Sequence, residues 1–134
     1  MRVDADDFLN QHACQTMLYL LEENKNFDYV YCDHFRVDVD GVKIKKVKLN
    51  NKPNLFRHGA GILFRRDILI EIGGYDEKMR NCEDYDLLAR LHILKKKGFY
   101  IPVPLYRYYI HGKNITLKKE RMKMELKMKE KYGL

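Results

Sequence analysis

The chain lacks a long apolar run, a paired cysteine motif and any internal repeat. No stretch of its 134 residues approaches the roughly 18 consecutive apolar residues of a transmembrane helix. Met1-Arg2-Val3-Asp4 places an acid where a secretory signal needs its apolar segment, so the sequence predicts a cytoplasmic location. These absences exclude membrane-spanning, collagen-like and coiled-coil rod architectures.

Cysteine is also scarce. The three cysteines, Cys14, Cys32 and Cys82, are odd in number and form no CxxC pair. Their spacing therefore supports neither a disulfide framework nor a zinc knuckle. We expect three free thiols in a reducing compartment.

The composition that remains is globular, with an uneven positive charge. Hydrophobic residues make up 46% and charged residues 34% of the chain, which predicts one folded domain. The net charge is +7, and residues 118–131 carry seven basic against three acidic side chains. This segment either contacts an anionic surface, such as lipid headgroups, or is an ordinary solvated helix face. Nucleic-acid binding is the weakest alternative, because no aromatic residues alternate with the lysines.

The hydrophobic pattern predicts a mixed α/β domain. Apolar residues at helical spacing predict a helix from Asp7 to about Asn24 and a leucine-striped helix over roughly 84–97 that Gly98 closes. The other expected elements are a strand over 27–32, a hairpin around Asp40-Gly41, a loop over 50–58, a strand over 62–64, a short helix over 65–72, strands over 99–103 and 105–110, and a helix from Leu117 onward whose apolar residues split between two faces.

Asp4-Ala5-Asp6-Asp7 is the first cluster with the residue types for chemistry. Carboxylates two residues apart in an extended turn can point at one hard divalent cation, which prefers oxygen ligands and substrate phosphates. The structural alternative is an acidic turn or a helix N-cap. A calcium loop around Asp38–Gly41 is excluded, because Arg36 and Val47 stand where that loop needs acids.

A second acidic cluster, Asn81-Cys82-Glu83-Asp84-Tyr85-Asp86, opens the leucine-striped helix. Acids at this position complement the free N–H groups and the helix dipole, which is a purely structural role. The functional alternative is a general base, an aspartate that accepts a proton from a hydroxyl group. The dipole would lower the pKa of such an aspartate, so that it is ionised at neutral pH.

His111 and two glycines are the remaining candidates. His111 follows a predicted strand and is either a packed or surface side chain, or a nitrogen ligand that completes the acidic site. Gly59 and Gly61 either let the backbone approach a ligand closely or simply allow a tight turn.

In combination, these segments resemble the C-terminal part of an inverting family-2 glycosyltransferase of the GT-A fold. The resemblance implies a Rossmann-like α/β fold, a mixed sheet with flanking helices, and an N-terminal nucleotide-binding half that is absent from this chain. It covers most of residues 1–116 and rests on RVDADDFLN (2–10), GAGILFRRD (59–67), IGGYDEKM (72–79), CEDYDLLARL (82–91) and PLYRYYIHGKNIT (104–116).

The resemblance also implies roles for individual residues on the donor side. The DxD motif of the family falls on Asp4 and Asp6, so Asp6 would bind a divalent metal, Mn2+ or Mg2+, and Asp4 would contact the nucleotide-sugar. The C-terminal histidine that assists the metal site in many relatives falls on His111. The glycine-containing loop near the donor sugar falls on Gly59-Ala60-Gly61.

On the acceptor side, the Glu-Asp motif of the family falls on Glu83 and Asp84. Asp84 would be the catalytic base and Glu83 a substrate contact. The implied reaction transfers a sugar from a nucleotide-diphosphate sugar to an acceptor hydroxyl with inversion. The alternative is a non-catalytic remnant or assembly module of a glycosyltransferase.

The implied organisation is a partial transferase domain over residues 1–116 followed by a basic helix over residues 117–134. The expected acceptor is a glycan, a lipid-linked molecule or a protein, in the synthesis of a surface polysaccharide or glycolipid. The basic helix predicts peripheral contact with the inner face of the membrane. A sheet edge left open by the missing half predicts a homodimer.

Overall fold

Five helices and five strands are interspersed along the part of the chain that the computed structural model describes, which is residues 1–79, 81–112, 114 and 119–134. In chain order these elements are β1 (Phe8–Leu9), α1 (Ala13–Glu23), β2 (Tyr29–Val37), β3 (Lys43–Val47), α2 (Lys52–Phe56), β4 (Ile62–Phe64), α3 (Arg66–Glu71), α4 (Glu83–Ile93), β5 (Gly98–Tyr109) and α5 (Lys119–Tyr132).

β2 is the central strand of a five-stranded mixed sheet. It pairs in parallel with β5 on one side, and antiparallel with both β3 and β4 on the other. The short β1 adds antiparallel to the far side of β5. The turn between β2 and β3 is the hairpin predicted around Asp40-Gly41, and β4 covers the strand predicted over 62–64. The mixed α/β fold is thus confirmed.

The two faces of the sheet carry separate hydrophobic cores. Side chains alternate between the faces along β2, so Val30 packs with α1 while Tyr29 packs with α4. The Val30 cluster includes Met17 and Leu21 of α1 and the fully buried Tyr106 of β5. Helices therefore cover both faces of the sheet.

The prediction of two strands over 99–110 is wrong, because β5 runs unbroken from Gly98 to Tyr109. Proline has no N–H to donate, which favours a break in a strand. The sheet accommodates Pro102 and Pro104 by a shift in register. Cys32 pairs with Ile101, whereas the next residue of β2, Asp33, pairs with Pro104.

Helix boundaries also differ from the sequence predictions. α1 begins at Ala13 rather than at Asp7, because Phe8 and Leu9 pair with β5. The predicted loop over 50–58 contains α2, which the Asn51 side chain caps by accepting from Asn54 N–H at 3.0 Å. α4 ends at Ile93, before the predicted boundary, and Lys95 follows in the left-handed conformation.

The C-terminal helix packs on the core rather than standing apart from it. The predicted start at Leu117 lies outside the described residues, and α5 begins at Lys119. Met124 and Met128 pack on the α4 side of the sheet, whereas Met122 and Leu126 are exposed. The predicted split of its apolar residues between two faces is therefore confirmed. Among the described residues, no helix is long and apolar enough to cross a membrane.

Candidate active site

Arg2 connects the two acidic clusters. Its Nε donates to Asp4 Oδ1 at 2.9 Å and its Nη1 donates to Glu83 Oε1 at 3.2 Å, and Nη1 also pairs with Asp84 Oδ1. Asp4 is far from Glu83 and Asp84 in the sequence, so this contact exists only in the folded chain. One guanidinium thereby holds together three of the carboxylates that the resemblance selects.

Gly59 packs directly against Asp84. A Cβ on residue 59 would lie 1.8 Å from Asp84 Cγ and 2.2 Å from Asp84 Oδ1, so no larger residue fits without a shift in the backbone. The approach places the segment before β4 against the first turn of α4. The Asp84 carboxylate therefore contacts both Gly59 and Arg2.

Gly61 brings a second close contact, with Tyr106. A Cβ on residue 61 would lie 2.6 Å from Cδ2 of the Tyr106 ring, and the residue has a φ of 69°, in the region that favours glycine. Its N–H donates to Arg2 O at 3.0 Å, and Ala60 beside it is buried. The glycine segment thus has both a tight backbone turn and close packing, and it fixes the chain around Arg2.

Burial governs the acidity of Asp84. The side chain sits in the first turn of α4, where only 7% of the residue is exposed. Desolvation raises the pKa of Asp84 to about 6, against the opposing charge of Arg2. The expectation of a lowered pKa is wrong, because loss of water raises the pKa more than the charge of Arg2 lowers it. A carboxyl with this pKa is ionised at neutral pH and is a stronger base than an exposed aspartate.

Asp6 and His111 form a separate pair. His111 Nε2 lies 2.8 Å from Asp6 Oδ2, and both side chains are partly exposed. Asn114 positions the histidine segment by accepting from His111 N–H at 2.9 Å and donating to Tyr109 O at 2.8 Å. Among the described residues, no group of three or more His, Cys, Asp or Glu side chains is arranged to hold a metal ion.

Asp7 turns away from this pair and holds the end of β5. Its Oδ2 accepts from the Tyr106 hydroxyl at 2.6 Å and its Oδ1 accepts from Tyr109 N–H at 2.8 Å. Burial raises the pKa of Asp7, although both hydrogen bonds oppose the rise. Asp7 therefore has a structural role at the start of the chain, different from the helix N-cap that the sequence predicts.

Sequence reasoning missed Arg2 and Tyr75. The Arg2 guanidinium lies 5.7 Å from the centre of the Tyr75 ring, which covers it on one side. Arg2 belongs to a segment already selected for its acids, so a cation beside an acidic motif was the available signal. Tyr75 offered no comparable signal, because its contact depends on the tertiary fold.

The same reasoning missed a histidine pair behind the glycine segment. The rings of His34 and His58 stack with centres 4.0 Å apart, and Tyr106 meets His58 edge-on. Burial lowers the pKa of His34 to about 4 and that of His58 well below its ordinary value, so both rings are neutral at pH 7. This neutral stack supports the backbone that leads into Gly59.

The fold is an α/β domain with a mixed sheet that helices cover on both faces. Its candidate site is the cluster in which Arg2 contacts Asp4, Glu83 and Asp84. Residues 13–129 match the glycosyltransferase-like family 2, and the chain belongs to this family. The matched range includes Gly59-Ala60-Gly61, Glu83, Asp84 and His111, whereas Asp4 and Asp6 precede it. The resemblance noted in the sequence blocks is therefore confirmed at the level of the family.

A curated relative is consistent with the family. An uncharacterised glycosyltransferase of Haemophilus influenzae is 25% identical over 99 residues, an alignment that covers 66% of this chain and 34% of the relative. The chain thus spans about a third of the length of that protein.

Proposed function

We propose that this chain carries the metal-binding and base-catalytic elements of an inverting glycosyltransferase, which transfers a sugar from a nucleotide-diphosphate sugar to an acceptor hydroxyl. The observation that carries the proposal is the Arg2 bridge from Asp4 to Glu83 and Asp84. It puts the DxD segment within one side chain of the Glu-Asp motif. A donor held by the first segment would then present its sugar to a base in the second.

Asp84 is the proposed catalytic base. Its Oδ1 is paired with Arg2, whereas its Oδ2 has no hydrogen bond to the residues that the structure describes. We assign Oδ2 to the proton of the acceptor hydroxyl. As that proton moves to Asp84, the hydroxyl oxygen bonds to the anomeric carbon, and the bond from this carbon to the diphosphate oxygen breaks with its electron pair. Attack from the face opposite the leaving group inverts the configuration.

Asp6 and His111 are the proposed protein ligands of a divalent ion. The oxygen and nitrogen atoms that face each other at 2.8 Å fit two neighbouring positions on one cation in place of the present hydrogen bond. Two protein ligands suit Mg2+ or Mn2+, which commonly take the rest of their shell from phosphates and water. When bound, such an ion supplies charge that stabilises the departing diphosphate.

Asp4, Glu83 and the Gly59-Ala60-Gly61 segment are the proposed substrate contacts. Asp4 is partly exposed beside Arg2 and can accept from donor hydroxyls. The glycine segment lies against Asp84, so a sugar that contacts its backbone would be close to the proposed base. The proposed acceptor is a glycan, a lipid-linked molecule or a protein, in the synthesis of a surface polysaccharide or glycolipid in the cytoplasm. We also propose a homodimer through the open sheet edge, which gel filtration at increasing concentration tests.

Thermal unfolding tests the donor site without knowledge of the acceptor. The chain is heated with Mn2+ and a panel of nucleoside diphosphates, each alone and together. A ligand at about 100 times its dissociation constant stabilises the folded state by roughly 2.7 kcal/mol. We expect a metal-dependent rise in Tm with one nucleotide, and loss of that rise in Asp6→Asn.

Asp40→Asn is the matched control, because Asp40 is an exposed acid in the β2–β3 turn. It should keep the full nucleotide response. Cooperative unfolding with no response to any nucleotide would contradict the proposal for this chain and leave it as a non-catalytic part of a transferase.

A further inference from the structure

α5 presents a regular mixed surface to solvent. On the side away from the core, two adjacent rows with a spacing of four residues run along the helix. One row is Lys119, Lys123 and Lys127, and the other begins with Met122 and Leu126. All five side chains are exposed, including the large apolar ones at 63% for Met122 and 60% for Leu126. We call these five residues the outward face of α5.

The basic side chains of α5 that lie outside the outward face have partners within the chain. Lys129 pairs with Glu125 at 3.4 Å, and Lys131 pairs with Asp86 at 3.1 Å. Arg121 donates to the backbone oxygen of Arg57 at 3.2 Å. These three groups attach the helix to the domain or to itself.

The lysines of the outward face are not paired in this way. Lys119, Lys123 and Lys127 form no ion pair with any residue in the described part of the chain. Two exposed acids accompany this surface: Glu130 continues the row of Met122 and Leu126 at its C-terminal end, and Glu120 flanks the lysine row. With three lysines against these two acids, the face keeps a net positive charge beside two exposed apolar side chains.

We propose that the outward face of α5 docks on an anionic lipid surface. Lysine ammonium groups would meet the headgroups, while their aliphatic stems and the Met122 and Leu126 side chains would contact the boundary of the acyl chains. A single-stranded nucleic acid would require aromatic side chains for stacking, and this face has none. With only two apolar residues, the contact is interfacial and reversible by salt.

This inference goes beyond the proposed chemistry and does not depend on it. Docking uses α5 alone, and the assay needs no sugar donor, metal or acceptor. A chain that fails to bind nucleotide can still bind vesicles, so the two proposals fail separately.

Vesicle co-sedimentation tests the proposal with the intact chain. The chain is mixed with vesicles of phosphatidylglycerol and phosphatidylcholine, and in parallel with vesicles of phosphatidylcholine alone. We expect binding only to the anionic vesicles, and release by high salt. Each basic residue near such a surface contributes roughly a fivefold factor in affinity. The variant with Lys119→Glu, Lys123→Glu and Lys127→Glu should therefore lose about a hundredfold or more in binding.

A charge-matched control separates this face from the overall charge of the chain. Lys25, Lys48 and Lys78 are exposed and lie in three different connections, after α1, after β3 and before α4. Their joint substitution by glutamate changes the net charge equally but should reduce binding far less. A second variant, Met122→Ser with Leu126→Ser, should weaken binding and leave its salt dependence unchanged.

Three results would overturn the proposal. The first is absence of binding to anionic vesicles. The second is an equal loss in the variant of the face and in the scattered control. The third is binding of an RNA oligonucleotide through the same lysines by a chain that ignores vesicles. Circular dichroism of each variant checks the fold, and the serine variant retains the test if the charge-reversed helix melts.

Discussion

Gly59 and Asp84 are packed so closely that a Cβ on residue 59 would lie 2.1 Å from Asp84 Cβ and 1.8 Å from Asp84 Cγ. The segment before β4 and the first turn of α4 therefore fit together only if residue 59 has no side chain. Arg2 also contacts this side chain, by its pair with Asp84 Oδ1. The carboxylate that we propose as base is thus packed against one glycine and paired with one arginine.

Gly59→Ala is predicted to destabilise the domain. The added methyl group would collide with Cβ and Cγ of the buried Asp84 side chain, which cannot swing away as the end of a long side chain could. The backbone must therefore move. Overpacking of this kind costs about 1–3 kcal/mol, which the free energy of unfolding in urea measures directly.

Gly74→Ala is the comparison for that variant. An added Cβ at residue 74 meets no atom within 4 Å, so only the strain of its φ of 64° opposes the change. We expect a cost of about 1–2 kcal/mol from this backbone strain and an unchanged carboxyl signal for Asp84. Equal effects of the two substitutions on Asp84 would contradict the packing described here.

Arg2→Met is predicted to raise the pKa of Asp84 further. Burial already raises that pKa to about 6, and the positive charge of Arg2 opposes the rise. Removal of the charge leaves burial and the neighbouring Glu83 opposed only by Arg121. Carboxyl 13C NMR titration measures the change, and Arg2→Lys, which keeps the charge, should shift the pKa less. An unchanged pKa in the methionine variant would show that Arg2 does not act on Asp84.

Asp84→Asn is predicted to change how stability depends on pH. Because the folded pKa of Asp84 lies above its ordinary value, its contribution to stability is full below about pH 4 and is lost as the pH rises through about 6. Asparagine does not ionise, so the variant does not lose this stability as the pH rises. Relative to the native chain, it should gain on the order of 3 kcal/mol between pH 4 and pH 7, measured by urea unfolding at each pH. A constant difference across that range would mean that Asp84 has an ordinary pKa when folded.

Tyr132→Phe is predicted to loosen α5 from the domain. The Tyr132 hydroxyl donates to Asp86 Oδ1, and Asp86 also accepts from Arg90 Nε at 2.8 Å. Loss of one hydrogen bond to a charged group costs about 1.5–3 kcal/mol in the free energy of unfolding. Tyr19→Phe is the control, because Tyr19 is 61% exposed, and it should leave stability unchanged. An equal, small effect of both would show that the Asp86 contact does not hold the helix.

Much of the fold follows from local pattern in the sequence. The leucine stripe marks α4, the Asp40-Gly41 turn marks the β2–β3 hairpin, and Gly73-Gly74 ends α3. These features depend on periodicity and turn residues a few positions apart, which a single sequence displays.

The features that sequence reasoning missed depend on distant contacts. β5 continues past Pro104 because the parallel pairing with β2 outweighs a local tendency to break. The Asp7 carboxylate accepts a hydrogen bond from the Tyr106 hydroxyl instead of capping a helix. The pKa of Asp84 depends on burial by the whole domain, which no local pattern reveals. For the site, the sequence indicated the acidic residues, while Arg2, which joins them, became apparent only from the fold.

The most direct test of the central claim is a proton NMR measurement on His111. Mn2+ with a nucleoside diphosphate is added to the chain, and broadening of the His111 ring signals by the paramagnetic ion is compared with that of His92, near the far end of α4. We predict strong broadening at His111, little at His92, and loss of the difference in Asp6→Asn. Equal broadening of both histidines, or none at His111, would contradict a metal and donor site at Asp6 and His111.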